Sequence, residues 1–379
     1  MDLKINQLIV LKLLIVRTNL PALEIDLKKI HNNAKILKKT FDSKNVSIFG
    51  IAKGVLGNPE IAKVIQQAGI DYLGDSRIDN IIKMREAGIN AKYVYIRNPT
   101  PNKIPLIIKY TDISLNSELN TIKKLSEEAL RQSKKHGVLL MVEMGDLREG
   151  IMPDDLEDIV KKIIHLSGIE LLGIGTNLKC FAGIIPDKVN MKEFSDIAAK
   201  IQDTLGLKLK FISGGNSANY DWLMSVKDTG LINNLRIGTA ILLGLGGIHE
   251  TPLNGLNQDA FIFIAEIIEI KRKPFYPKGT MTLNAFGEPS IFKSKDKLKK
   301  KKSFRNQALL NVGRQDIQET GLVPLDYDIE IMGASSDYII IDIKENDFKL
   351  GDKLRFSVNY EALLCAMTSP FISKIFTKE

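Results

Sequence analysis

Lys53 ends an apolar, β-branched run, Val46-Ser-Ile-Phe-Gly-Ile-Ala-Lys53, and a helix signal opens just after it at Asn58-Pro59-Glu60. In repeating β/α folds the carboxyl ends of strands are where chemistry is built, so a primary amine placed there is a candidate Schiff-base former. A surface lysine with its stem on apolar neighbours reads the same way locally. Other stretches therefore decide. Glu143-Met-Gly-Asp-Leu-Arg-Glu-Gly-Ile151, Gly175-Thr-Asn-Leu-Lys-Cys180, Ser213-Gly-Gly-Asn-Ser-Ala-Asn219 and Leu235-Arg-Ile-Gly-Thr-Ala240 each follow or end a strand-like run. Gly215, Asn216, Ser217, Gly238 and Thr239 lie in the last two of these stretches. They supply what a phosphate needs: backbone N–H groups free of side chains, hydroxyl donors, and a helix start. A phosphate cradle facing a strand-end lysine suggests pyridoxal phosphate, whose aldehyde must meet an amine while its phosphate is gripped on the far side.

These residues need a scaffold that brings them to one rim. After a leading helix at about Leu23 to Phe41, eight β-like runs follow: Val46–Lys53, Asp71–Asp75, Lys92–Arg97, Thr111–Leu115, Val138–Met144, Ile169–Thr176, Leu207–Gly214 and Asn234–Gly238. Helical patterns such as Glu60–Gly69, Arg77–Gly88 and Met191–Lys200 separate most of them, with apolar residues three and four apart and glycine after several. Eight strands alternating with helices is the arithmetic of a (β/α)8 TIM barrel. An open doubly wound sheet is the competitor, but no Gly-x-Gly-x-x-Gly turn opens the first helix. Beyond about Asn254 the rhythm changes to strands joined by turns: Ala260–Ile270, Gln307–Val312, Tyr327–Met332, Tyr338–Ile343 and Lys353–Val358. The expected organisation is an N-terminal extension over 1–17, a cofactor-binding α/β barrel over 18–252, and a C-terminal all-β domain over 253–379.

Composition excludes several functions. The two cysteines, Cys180 and Cys365, are too far apart in sequence for a disulfide framework or a metal-ligand spacing, so a reducing, cytoplasmic setting is expected. Leu8-Ile-Val-Leu-Lys-Leu-Leu-Ile-Val16 has the look of a signal core, yet Asp2 precedes it and Lys12 interrupts it. It reads as an extension or a mis-chosen start. No run approaches a membrane span. The formal charge of +8 comes mostly from Lys293 to Arg305, which holds eight basic residues and one acid. One lysine-rich loop without a recognition helix or stacking aromatics is a solvated surface, not a nucleic-acid face.

On these residues the sequence resembles the fold-type III pyridoxal phosphate enzymes, in particular the alanine racemases and, more closely, the ornithine racemases, from about Leu20 to the C-terminus. Lys53 matches the Schiff-base lysine of that family. Asn216-Ser-Ala and Arg236-Ile-Gly-Thr-Ala match its phosphate-binding stretches, and Arg236 matches the arginine facing the pyridine nitrogen. Arg148 matches an arginine near the cofactor oxygen and the substrate carboxylate. Asn177 stands where alanine racemases carry a histidine on the cofactor ring. The likeness to ornithine racemases rests on Leu147-Arg-Glu-Gly-Ile, Gly175-Thr-Asn-Leu, Gly214-Gly-Asn-Ser-Ala-Asn, Gly313-Arg-Gln-Asp, Gly333-Ala-Ser-Ser-Asp and Asn359-Tyr-Glu-Ala-Leu-Leu.

The resemblance implies an isomerase that interconverts L- and D-ornithine by Cα proton exchange, with Lys53, Arg148 and Arg236 as its catalytic set and a homodimer as its assembly. A cation beside the pyridine nitrogen keeps that nitrogen unprotonated and restrains a long-lived carbanion, which suits racemisation. Decarboxylases of this fold are expected to place a carboxylate there and a cysteine in the β domain, and Gly333–Asp337 holds none. Departures from the family pattern are Gly57 and Pro370 at its phosphate-binding tyrosines, and Phe286 at its second-base tyrosine. Tyr276, Asp337, Tyr360 and Cys180 are then the candidates for the second base. The other readings are a racemase for alanine or lysine, and a non-catalytic cofactor-homeostasis protein, which would lack a β domain.

Overall fold

The computed structural model describes residues 20–292 and 304–377. The expected extension over 1–17 and most of the basic stretch Lys293–Arg305 lie outside the described residues. Two compact units divide the chain, one of Asp26–Ala260 and one in which the segment ending at Ile25 joins Phe261–Thr377.

In chain order the elements begin with β1 (Ala22–Asp26), α1 (Leu27–Asp42), β2 (Ser47–Ile51), α2 (Pro59–Gln67), β3 (Tyr72–Asp75), α3 (Ile78–Glu86), β4 (Lys92–Tyr95), α4 (Ile104–Tyr110) and β5 (Ile113–Asn116). There follow α5 (Leu119–Arg131), β6 (His136–Met141), α6 (Pro153–Ile163), β7 (Ile169–Gly175), α7 (Lys188–Leu205), β8 (Phe211–Ser213), α8 (Tyr220–Ser225), β9 (Asn234–Ile237) and α9 (Thr239–Leu243). Strands β2 to β9 form a closed parallel barrel, so all eight runs expected from the sequence are present. Phe49 and Ile51, Ile113 and Leu115, and Leu139 and Met141 alternate along their strands and meet Val94 and Phe211 in one buried cluster. The period of two puts them on one face, and closure turns that face into a packed interior.

Caps explain where the helices start. Asp26 accepts from Lys29 N at 3.0 Å. Asn58 caps α2 with Pro59 in its first turn, and Asp187 and Asn190 form a reciprocal capping box on α7. Asn33, buried in α1, donates to Ile241 O at 3.2 Å and Asn257 O at 2.9 Å, and accepts from Asn257 N at 2.7 Å. The first barrel helix is thereby tied to the last one.

The second unit is antiparallel. Its sheet runs in the order Leu322–Pro324, Lys353–Val358, Phe261–Pro274, Phe304–Leu310, Ile339–Asp342 and Glu330–Ala334, and β1 pairs with both Phe261–Pro274 and Ser373–Thr377. Two expectations need correcting. Leu23 to Asp26 is not the beginning of the leading helix but a strand, with Leu23 opposite Phe263 and Ile25 opposite Phe261; the two lie two residues apart, as a strand face requires, and are buried in that sheet. The β domain also carries one helix, Tyr360–Thr368, capped by Asn359.

At the start of β6, His136 is buried and its ring nitrogen lies 2.8 Å from Ser114 Oγ. Burial lowers it to about 4, so it is neutral at pH 7. Between pH 6.5 and 4 the unfolded chain therefore binds a proton that the folded barrel does not, and stability falls with pH by about 3 kcal/mol from this group. His136→Gln should remove that loss. Urea unfolding at pH 7 and pH 4.5 is the check; an unchanged difference between the two pH values would show that His136 is not the titrating group.

Candidate active site

Strand β2 stops at Ile51, where Ala52 N still donates to Gly74 O at 2.9 Å. Lys53 then opens a 3-10 turn over Lys53–Val55, closed by Leu56 N to Lys53 O at 3.2 Å. The strand thus ends two residues earlier than expected, because the chain must turn at once to reach the Asn58 cap. Leu56 and Gly57 take φ values of 52° and 56° to make that turn. A Cβ on Gly57 would lie 2.8 Å from the Cβ and carbonyl oxygen of Asn80, so no larger side chain fits there.

Asp75 ends the neighbouring strand and is fully buried. Its Oδ1 accepts from Arg77 N at 2.9 Å and Asn80 Nδ2 at 3.0 Å, while Oδ2 has no hydrogen-bond partner. Burial pushes this carboxyl up to about 6, against the pull of those hydrogen bonds and the Lys53 charge. Asp75 was not among the residues singled out from the sequence; an acid at a strand end on this rim was the available sign.

Arg236 closes the barrel from the other side. Strand β9 pairs with β2 through Phe49 opposite Arg236 and Gly50 opposite Ile237, so Gly238 and Thr239 leave the barrel next to Lys53. The guanidinium is 6% exposed. It donates to Ser213 Oγ at 2.7 Å, Thr176 O at 2.5 Å and Asn177 Oδ1 at 3.2 Å. Ser213 Oγ donates onward to Asn234 Oδ1 at 2.7 Å, and Asn234 donates to Ser47 Oγ at 3.0 Å. All these acceptors are neutral. Desolvation pulls Arg236 down to about 10, still cationic at pH 7.

The two stretches expected to bind phosphate meet directly. Ser217 Oγ accepts from Ala240 N at 3.3 Å. Asn216 caps the 3-10 turn Ser217–Asn219 by accepting from Ala218 N at 2.8 Å, and Asn219 Oδ1 returns the contact to Asn216 N at 3.0 Å. Asn216 Nδ2 reaches Asn177 Oδ1 at 3.2 Å, Leu178 O at 3.0 Å and Cys180 Sγ at 3.6 Å. Gly215 has φ of 145°, and a Cβ there would fall 2.1 Å from Asn219 Oδ1. Gly215→Ala should therefore break the capping box and weaken cofactor retention by about tenfold or more. Titrating the apoprotein with cofactor measures this; retention equal to the parent protein would remove Gly215 from the cradle.

Two loops complete the rim. After β6, Glu143 accepts from Gly145 N at 2.5 Å and Leu147 N at 3.1 Å. Buried Asp146 accepts from Cys180 N, Phe181 N and Ala182 N, each at 3.2 Å, and so fixes the loop after β7. Arg148 forks onto Glu149 through Nε and Nη2. Glu149, Cys180 and Arg148 are near enough to Arg236 to bear on its charge.

The barrel thus brings together Lys53, Arg148, Asn177, Gly215, Asn216, Ser217, Arg236, Gly238 and Thr239 on the rim at the carboxyl ends of its strands, with Cys180 among them. Tyr276, Asp337 and Tyr360 belong to the β unit. Asn177 Nδ2 and Thr176 Oγ1 are buried without hydrogen-bond partners beside the Arg236 guanidinium. Orphaned donors, a buried cation and a cradle that a Cβ would fill suit a phosphorylated aromatic cofactor. Among the described residues, no three His, Cys, Asp or Glu side chains are placed to hold a metal ion.

Residues 25–245 match the profile of the alanine racemase N-terminal domain. The chain is 35% identical over 357 residues to an ornithine racemase of Acetoanaerobium sticklandii, covering 93% of this chain and 99% of that one. It is equally 35% identical over 357 residues to a lysine racemase of Thermotoga maritima, covering 94% and 98%. Among solved structures, alanine racemase from Corynebacterium glutamicum aligns with a TM-score of 0.71 at 18% identity, covering 95% of this chain and all of that one. D-threonine aldolase from Filomicrobium marinum aligns with a TM-score of 0.71 at 16% identity, over 93% and 89%. These two likenesses establish the fold alone. Sequence similarity over nearly the full length establishes more: the chain belongs to the alanine racemase family and is an amino-acid racemase whose cofactor is pyridoxal phosphate.

Proposed function

We propose that this racemase interconverts the L and D forms of ornithine, as a cytoplasmic homodimer, with Lys53 as the anchor of the cofactor. The observation that supports the reading most is the pairing of β2 with β9, which brings the end of the strand leading to Lys53 beside the end of the strand leading to Gly238 and Thr239. The relative named as an ornithine racemase supports the substrate; the equal identity to a lysine racemase makes lysine the second reading. The β unit and the coverage of both relatives speak against a single-barrel homeostasis protein. Among the described residues no helix is long and apolar enough to cross a membrane.

In this reading Asn177, Gly215, Asn216, Ser217, Arg236, Gly238 and Thr239 hold the cofactor, and Arg148 receives the substrate carboxylate. When bound, pyridoxal phosphate supplies the electron sink that makes the Cα–H of an amino acid acidic. The Lys53 amine moves a proton on one face of Cα. Arg236, charged and held by neutral acceptors, keeps a proton off the ring nitrogen. Racemisation needs a second group on the opposite face. Cys180 of the same rim is one candidate; Tyr276, Asp337 and Tyr360 are the others, and they would come from the β unit of a partner chain. The test is chiral chromatography of product from single enantiomers of ornithine, lysine and alanine. Faster racemisation of ornithine than of the other two is expected, and preference for alanine would overturn the substrate assignment.

A further inference from the structure

Three acids stand in the loop after β6, and the structure uses them differently. Glu143 and Asp146 are absorbed by backbone N–H groups, and they shape the loop whether or not anything binds. Glu149 is held by a side chain instead, the bidentate fork of Arg148. The pair is only partly covered, with side chains 41% and 23% exposed for Arg148 and Glu149. A planar guanidinium gripping a carboxylate at two points is the contact that an amino-acid carboxylate would make with the same arginine. Glu149 therefore occupies, from within the chain, the anion position that the proposed function gives to the substrate.

We propose that Glu149 is a specificity-determining residue: substrate carboxylate displaces it from Arg148, and the released Glu149 carboxylate pairs with the distal ammonium of a diamino acid. The inference rests on Arg148 as the carboxylate site and on a basic amino acid as substrate. The physics is an exchange of partners. A neutral amino acid would take the Arg148 fork and leave Glu149 as an unpaired, half-buried anion. A diamino acid restores a partner to both charges. A site built to pair a charged group rejects the analogue that lacks it far more strongly than an apolar pocket rejects a missing methylene. The other two acids of this loop cannot substitute, since Asp146 and Glu143 are committed to the backbone.

The experiment compares the holoenzyme with Glu149→Gln and Glu149→Asp. Substrates are L-ornithine and L-norvaline, its equivalent without the side-chain ammonium. Inhibitors are propionate and 1,4-diaminobutane, followed through the cofactor absorbance. In Glu149→Gln the ratio of kcat/KM for ornithine over norvaline should fall by about tenfold or more. Propionate should bind more tightly, because the fork is vacated, and 1,4-diaminobutane more weakly. Glu149→Asp should recover part of the preference. A merely damaged site would weaken both inhibitors together, so parallel losses overturn the proposal, as does an unchanged substrate ratio. If the parent enzyme itself prefers norvaline, the diamino-acid reading fails first, in a measurement that involves no variant.

Discussion

Lys53→Ala should lose racemase activity by about ten-thousandfold or more while keeping a folded barrel. The two halves of that expectation have separate causes. Lys53 carries the reacting amine in the proposed function, at the end of a barrel strand. Its backbone carries the turn, through Leu56 N to Lys53 O, and alanine preserves that bond. The side chain is outside the apolar cluster that fills the barrel, so truncation opens no cavity there. Borohydride treatment of the parent holoenzyme followed by peptide mass analysis should find the cofactor on the peptide bearing Lys53. Label on a different lysine, or near-normal turnover of Lys53→Ala, would remove Lys53 from the centre of the site.

Arg236→Met should fail differently, in stability and in turnover together. The guanidinium bridges the ends of β7, β8 and β9 by donating to Thr176 O, Ser213 Oγ and Asn177 Oδ1. Methionine fills a similar volume and donates nothing. The Thr176 carbonyl and the Ser213 hydroxyl would lose a charged donor inside the protein, at a cost of roughly 2–4 kcal/mol. Loss of the cation beside the ring should slow proton exchange by about a hundredfold. Arg236→Lys restores the charge, but an ammonium is a point donor and cannot span Thr176 and Ser213 at once, so rescue should be partial. Urea unfolding and steady-state kinetics read the two effects separately. A methionine variant as stable as the parent would mean the three-strand bridge carries no load, and unchanged turnover would place Arg236 away from the chemistry.

How much of this was legible in the sequence follows the range of the interactions. The eight barrel strands were, because alternation and glycine stops are local, and so was the meeting of Lys53, Asn216, Ser217, Arg236 and Thr239, because parallel β/α repeats send every strand end to one rim. β1 was not: Leu23 and Ile25 pair with residues near 261–263, and no local spacing reports a partner so distant in the chain. The Asp26 cap was the sign that the helix starts later. The role of Asp146 was also hidden, since its three backbone donors come from the next βα loop. Glu149 was visible within Leu147-Arg-Glu-Gly-Ile as part of a motif, but adjacency in sequence does not say that the two side chains fold back onto each other. Gly57 was read as a departure from a family pattern; in this chain its positive φ and the closeness of Asn80 favour glycine.

A racemase moves a proton on and off Cα from both faces, and hydrogen exchange in deuterated water measures that act directly. L-ornithine and D-ornithine should each be incubated with holoenzyme in deuterium oxide and both enantiomers isolated early in the reaction. Deuterium is expected at Cα in the enantiomer formed, from either starting direction, with Lys53→Ala incorporating none. Product enantiomer that keeps its original Cα hydrogen and no deuterium at early times, or ornithine that exchanges without ever inverting, would contradict it.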